Sequence, residues 1–269
     1  MHPFLKSLRE LPLLCQGHGA EMKGWLENPT APRILACLAA IAAGGAAYGF
    51  TLGLWRAPLM GGYVAVKLPL LIFLTLLTNG LLNGMLSQLL GSGLGFRQTL
   101  LAMLMSFAGF SLITAALSPV ALMMVLDAPS PGEPGARESY RAILLVHTAI
   151  IAFAGVTAHR RFYPILAACA DTPAAAARVF VACLAGNLFV GAQLSWNLRP
   201  FFGQPARDVS FLRPDWNRSS FYESIYHNLG SLFRSLPGPT ALPVIASALV
   251  TLILAVRFYR FLRTTRNPQ

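Results

Sequence analysis

Charge is scarce in this chain. Only 12% of its 269 residues are charged and 55% are hydrophobic, which excludes an ordinary soluble domain, where about a quarter of residues carry charge. Acidic residues are scarcer still, 10 against 21 basic ones, and none falls deep inside a long apolar run. Ion-coupled carriers often place a carboxylate there, so its absence weighs against a proton- or sodium-driven mechanism. The 4 cysteines are Cys15, Cys37, Cys169 and Cys183; none are paired at zinc-ligand spacing, and they read as buried small apolar residues or free thiols. The sequence holds no phosphate-binding glycine loop, no HExxH and no nucleophile elbow. GSGLGF at Gly91–Phe96 has neither a preceding strand nor a phosphate-binding lysine and reads as a connector. The 5 histidines are too scattered for a metal cluster, and Asp208, Asp215 and Glu223 match no carboxylate template. No catalytic residue, cofactor or metal is therefore assigned; His147 alone is a weak catalytic candidate.

What is there instead is apolar sequence in blocks. Uncharged stretches run over Ile34–Trp55, Leu68–Phe96, Gln98–Leu126, Ala142–Ala158, Val179–Leu198 and Ser235–Val256. Most reach the roughly 20 residues that cross about 30 Å of hydrocarbon. The expectation is an all-α, polytopic transmembrane bundle of about six spans. Residues 1–33 form an amino-terminal arm, residues 34–258 the bundle with a loop at 199–236, and residues 259–269 a basic tail. The arm carries Lys6, Arg9, Glu10, Glu21, Lys23, Glu27 and Arg33 and reads as no cleavable signal.

The net charge of +11 would suggest nucleic acid in a soluble protein. Here the cations decorate span ends, so no nucleic acid is expected and the partner they fit is the lipid bilayer with its anionic headgroups. With the amino terminus inside, Lys6, Arg9, Lys23, Arg33, Arg97, Arg160, Arg161, Arg178, Arg257, Arg260, Arg263 and Arg266 all fall on the cytoplasmic side, as the positive-inside rule favours. Asp127, Glu133 and Glu138 then face out. An even number of spans then puts both termini in the cytoplasm. Trp55, Tyr163, Trp196 and Tyr259 sit near span ends, where amphipathic rings are at home.

Within the spans, Gly45, Gly49 and Gly53 recur every four residues and form a smooth ridge for close helix packing; Gly80 and Gly84 repeat the device. Asn79 and Asn83 share a helix face. With His147, Asn187 and Gln193 they form a candidate polar site inside the bundle: either hydrogen bonds that lock helix packing or the lining of a small-solute path. Gln193 and Asn197 lie one turn apart. Lys67 is expected to snorkel at the start of the second span, with Pro69 in its first turn. Pro119 is expected to kink or end the third.

The long loop after the fifth span supplies a second candidate site: Trp196, Arg199, Pro200, Phe201 and Gly203, within SWNLRPFFGQP. Pro200 should stop the helix near Arg199. Phe201 and Phe202 can return to the apolar margin, and Gly203 and Pro205 permit a turn. Arg199 can anchor the loop through Asp208 or Asp215, bind a lipid phosphate, or recognise a solute. Ser220 and Glu223 have capping-box spacing, and Phe221, Ile225, Leu229, Leu232, Phe233 and Leu236 share one face. That pattern predicts an amphipathic helix lying on the membrane or on the bundle.

GAQLSWNLRPFFGQP, FLRPDWN and VKLPLLIFLTLLTN together resemble a group of bacterial polytopic membrane proteins without an assigned activity, over about Asn28 to Leu236. WNLRPF followed by glycine and proline is the most specific element. That group is similar in turn to Yip1-type membrane proteins, helical bundles linked to membrane trafficking in eukaryotes; these usually have five spans where six are read here. The resemblance implies a bacterial inner-membrane protein and carries over no catalytic residue. Three functions stay open at this point. One is a non-enzymatic scaffold or subunit of an envelope assembly, with a membrane-protein partner or a second copy. Another is a small-solute transporter or channel through Asn79, Asn83, His147 and Asn187. The third is a lipid-modifying enzyme using Arg199.

Overall fold

A computed structural model describes residues 3–16, 19–89, 95–204 and 207–227. Among them the elements are α1 (Pro3–Glu10), α2 (Pro12–Gln16), α3 (Gly19–Glu27), α4 (Ala31–Leu54), α5 (Pro58–Leu89), α6 (Phe96–Asp127), α7 (Ala136–Cys169) and α8 (Pro173–Asn197). Residues 221–227 are also helical, and no strand occurs among the described residues. Five of these helices, α4 to α8, are long and apolar enough to cross a bilayer. The chain is a multi-pass membrane protein. The sixth expected span, Ser235–Val256, and the basic tail lie outside the described residues, as do the Leu229–Leu236 positions of the amphipathic pattern.

Local chemistry sets the helix ends. Thr172 caps α8 by accepting a hydrogen bond from the Ala175 N–H at 3.2 Å, and Pro173 fills the first turn, where a missing N–H costs nothing. The Gln98 side chain accepts from the Gly95 N–H at 2.9 Å at the start of α6. Gly135 precedes α7 with φ +87°, a left-handed conformation that only glycine takes without strain.

Several expected boundaries move, for one reason. A charged residue does not mark the end of a span here, because the helices run through such positions. The second span starts at Pro58, not Leu68, and stops at Leu89. Lys67 and Pro69 therefore lie in the helix interior, which corrects the first-turn placement of Pro69. Helix α7 extends from Ala136 to Cys169, well past the expected Ala142–Ala158, so His159, Arg160 and Arg161 are helical. Pro119 does not end α6. Helix α5 has 32 residues, about 48 Å at 1.5 Å per residue, so it tilts or projects beyond the hydrocarbon.

Helix α4 packs along α5 and α6; α7 packs on α6, and α8 on α5. The glycine ridge explains the closest of these pairs. A Cβ at Gly49 would lie 2.5 Å from the Val64 carbonyl oxygen, at Gly53 2.6 Å from that of Met60, and at Gly45 3.2 Å from Pro69 Cγ. All three glycines thus face α5, and Gly45 makes room for the interior proline. Gly80 and Gly84 play the same part against Leu100 and Phe96 of α6. The ridges are spent on packing within one chain.

The arm is part of the bundle. Leu11, Leu14, Trp25 and Leu26 are buried in the same core as Ile41, Leu101, Met105 and Phe162. The Arg33 guanidinium lies 5.1 Å from the Trp25 ring centroid and donates to the Asn28 carbonyl at 3.1 Å. With five alternating spans, α1–α3, the start of α6 and the 170–172 connection share one end, the arm end. The turns at 55–57 and 128–135 share the other with residues 198–227, the loop end. Leu77, Met85, Val120, Leu145, Phe153 and Leu188 are exposed on the sides, where lipid covers them.

Candidate functional site

The polar residues of the bundle separate into pairs. Asn79 of α5 is buried and donates through Nδ2 to Asn187 Oδ1 of α8 at 2.5 Å. Gly186 sits against the Asn79 amide, so closely that any side chain there would collide with it. Asn83, one turn on, is buried against α6 and directs Nδ2 to the Met103 sulfur at 3.9 Å. His147 is elsewhere: buried between α7 and α4, its Nδ1 shares a hydrogen bond with the Tyr48 hydroxyl at 2.9 Å. Near the loop end of α8, Gln193 Nε2 donates to Asn197 Oδ1 at 2.9 Å and Gln193 Oε1 accepts from the Phe221 N–H at 3.1 Å. The structure thus joins Asn79 to Asn187 and ties Gln193 to the loop. It sets His147 apart on a different helix pair. Tyr48 escapes sequence reasoning, because a single tyrosine within an apolar run gives no more signal than a core aromatic.

The loop end is built differently, around cations. Lys67 is fully buried, which overturns its expected snorkelling. Its Nζ donates to the Pro200 carbonyl at 2.8 Å and lies 4.9 Å from the Phe211 ring centroid and 5.8 Å from that of Phe201, within reach of cation–π attraction. Arg56 donates through Nε to the Gln204 carbonyl at 3.3 Å and through Nη2 to the Arg207 carbonyl at 2.9 Å. A Cβ at Gly203 would press on the Arg56 stem at 2.6 Å, so the glycine lets that side chain lie across the loop. Two cations from the α4–α5 region thereby hold three backbone carbonyls of residues 200–207. The signal for Lys67 is present in the sequence: PLMGGYVAV, just before it, carries no charge and leads without a break into LPLLIFL, just after it.

Helix α8 ends at Asn197, and the Arg199–Pro200 peptide bond is cis. Phe201 and Phe202 turn back onto the cluster of Tyr48, Leu52, Met60, Val64 and Leu68, and the Phe202 ring meets that of His147 edge-on, with centroids 5.7 Å apart. Trp196 Nε1 donates to the Ser219 carbonyl at 3.0 Å. The capping box forms, with the Glu223 N–H donating to Ser220 Oγ at 3.0 Å and the Ser220 N–H to Glu223 Oε2 at 3.4 Å. Tyr222 stacks on Phe189 with centroids 4.7 Å apart and donates to its carbonyl at 2.7 Å, which seats residues 221–227 against α8.

Arg199 lies flat on Trp196, its guanidinium carbon 3.6 Å from the ring centroid, and its Nη2 pairs with Asp215 Oδ2 at 3.3 Å. Its side chain is only 11% exposed, and Nε and Nη1 are buried without an acceptor among the described residues. Arg213 is held below the usual arginine pKa range, first by burial, then by the positive charges of Arg199 and Arg207; Asp215 and Tyr140 oppose the shift. Arg199 pairs with the Asp215 carboxylate directly, and Arg213 feels the same carboxylate from nearby. No family model, curated protein or solved structure matches the chain. A group of three or more potential metal ligands is also absent among the described residues.

Proposed function

We propose that this is a non-enzymatic integral protein of a bacterial inner membrane, with both termini cytoplasmic, acting as a scaffold or as a subunit of an envelope assembly. The observation that carries the reading is the pairing of the buried amides. Asn79 and Asn187 satisfy one another directly across α5 and α8, as groups that lock two helices do, and His147 is occupied by Tyr48 on a separate helix pair. A solute path needs polar groups that face a common space; these face each other.

The orientation has its own support. Lys6, Arg9, Lys23, Arg33, Arg97, Arg160, Arg161 and Arg178 lie toward the arm end, and an equal eight, Arg56, Lys67, Arg137, Arg141, Arg199, Arg207, Arg213 and Arg218, toward the loop end; the excess that favours a cytoplasmic arm comes from Arg257, Arg260, Arg263 and Arg266, which a sixth span would return to the arm side. A folded loop end, braced by Lys67 and Arg56, would then present a fixed surface on the far side, suited to a membrane-protein partner or a second copy.

Mild cross-linking in native membranes, followed by mass measurement, tests the role. A specific higher-mass species that includes the loop end is expected. A chain that stays alone under those conditions contradicts the assembly reading. Flux from reconstituted vesicles that falls when Asn79 and Asn83 become alanine would replace it with the transporter.

A further inference from the structure

We propose that residues 219–227 re-enter the bilayer beside α8, with Tyr222, Ile225 and Tyr226 turned to the acyl chains of the leaflet at the loop end. The partner of this surface is lipid. The inference does not depend on the scaffold reading, and it decides between the two seats, membrane or bundle, that the sequence pattern leaves open. It rests on depth, on polar satisfaction and on sidedness.

Depth comes first. Three contacts step down α8 in antiparallel order. The Ser219 carbonyl accepts from Trp196 Nε1 at 3.0 Å, the Phe221 N–H donates to Gln193 Oε1 at 3.1 Å, and the Tyr222 ring stacks on that of Phe189. Helix α8 ends at Asn197, so Phe189 lies about 12 Å below that end at 1.5 Å per residue. It is also near the middle of the uncharged stretch Val179–Leu198, the part of α8 that fits the hydrocarbon. The Tyr222 ring therefore sits at the level of the acyl chains.

Polar satisfaction points the same way. The first N–H groups of a helix have no partner within it. Water can serve them at a surface; in lipid the protein must. Here Ser220 Oγ takes the Glu223 N–H, Glu223 Oε2 takes the Ser220 N–H, and Gln193 takes the Phe221 N–H. The Tyr222 hydroxyl donates at 2.7 Å to the Phe189 carbonyl, a helix carbonyl that a phenol in water has no need to find.

Sidedness completes the case. Ile225 and Tyr226 follow Tyr222 by three and four residues and share its face. All three are exposed, Tyr226 at 76%. Glu223 and His227 occupy the other face, with His227 Nε2 3.9 Å from Glu223 Oε1. A helix in the plane of the interface divides its faces in this way, and a tyrosine is at home there. The apolar face is continuous with the flank of α8, where Leu188 and Phe189 are exposed. The stacked rings of Tyr222 and Phe189 join the two.

Photolabelling tests the proposal on the unaltered chain, reconstituted in phosphatidylethanolamine and phosphatidylglycerol vesicles whose acyl chains carry diazirines. Adducts mapped by peptide mass spectrometry are expected on Leu188 and Phe189, and also within 222–226, but not at 207–210. An unlabelled 219–227 beside labelled Leu188 and Phe189 overturns the proposal. So does failure to label Leu188 and Phe189, because the continuous lipid face would not exist, and so does equal labelling at 207–210, because depth would not set the segment apart. Spin labels then read the faces. With the four native cysteines replaced, nitroxides on Ile225→Cys and Tyr226→Cys should show a ratio of oxygen to water-soluble nickel collisions several-fold higher than those on Glu223→Cys and His227→Cys. A nickel-dominated ratio at all four positions returns the segment to water. Low collision with both reagents at 225 and 226 puts protein over the face. Either result overturns the proposal.

Discussion

The middle of the bundle and its loop end treat polar groups in opposite ways. In the middle, amide meets amide: Asn79 and Asn187 close on each other, and Tyr48 closes on His147. At the loop end, Lys67 of α5 and Arg56 of the α4–α5 turn meet carbonyls from a loop, and two buried nitrogens of Arg199 have no acceptor among the described residues. Hydrocarbon explains the first pattern, because a polar group there needs an internal partner. The irregular backbone of the loop explains the second, because carbonyls outside a helix need other donors. The interior is given to packing, and the loop end to holding the loop in place.

The contrast can be broken most forcefully at the glycine ridge. Gly49→Val places a branched side chain against the Val64 carbonyl, which is helix backbone and cannot yield; the cost is expected at about 3 kcal/mol or more. Thermal unfolding in detergent should show the loss, whereas Gly62→Val, where nothing lies within 4 Å of the added Cβ, should barely change it. Next in size is Lys67→Met. It keeps the volume and strands the Pro200 carbonyl, at about 2 kcal/mol, and limited proteolysis should then cut residues 198–227 faster than in wild type.

A smaller effect is expected in the middle. Asn79→Ala or Asn187→Ala should each cost about 1 kcal/mol, with the pair less than additive in a double-mutant cycle. Additive losses would mean the two amides do not share a bond. Asp215→Asn comes last. Its side chain is 54% exposed, so stability read by thermal unfolding should move by less than about 0.5 kcal/mol.

The lipid-embedded helices are legible in the sequence because apolar length is additive and local. The first and third expected spans fall within about three residues of α4 and α6. Boundaries fail where a charge is taken for an edge. Lys67 is surrounded by apolar sequence on both sides, yet only the loop that folds over it, more than a hundred residues later, explains how a cation sits inside a helix. The same separation hides the contacts of the loop end. Arg199 is visible as a single residue, but its choice of Asp215 over Asp208 depends on the path of the loop, and the Arg56 brace depends on Gly203. The amides are legible as a set and not as pairs: spacing puts Asn79 and Asn83 on one face, and cannot say that α8 meets the first and α6 the second.

The central claim is that the interior is closed and the loop end is open to solvent and headgroups. The direct measurement is thiol labelling in native membranes. In a background with the four native cysteines replaced, Asn79→Cys, Asn83→Cys and Gln204→Cys are each exposed to a water-soluble maleimide. Rapid modification at 204 with none at 79 or 83 is the predicted result. Ready modification at 79 and 83, slowed by adding a solute, would show a water-filled path through the bundle and contradict the account.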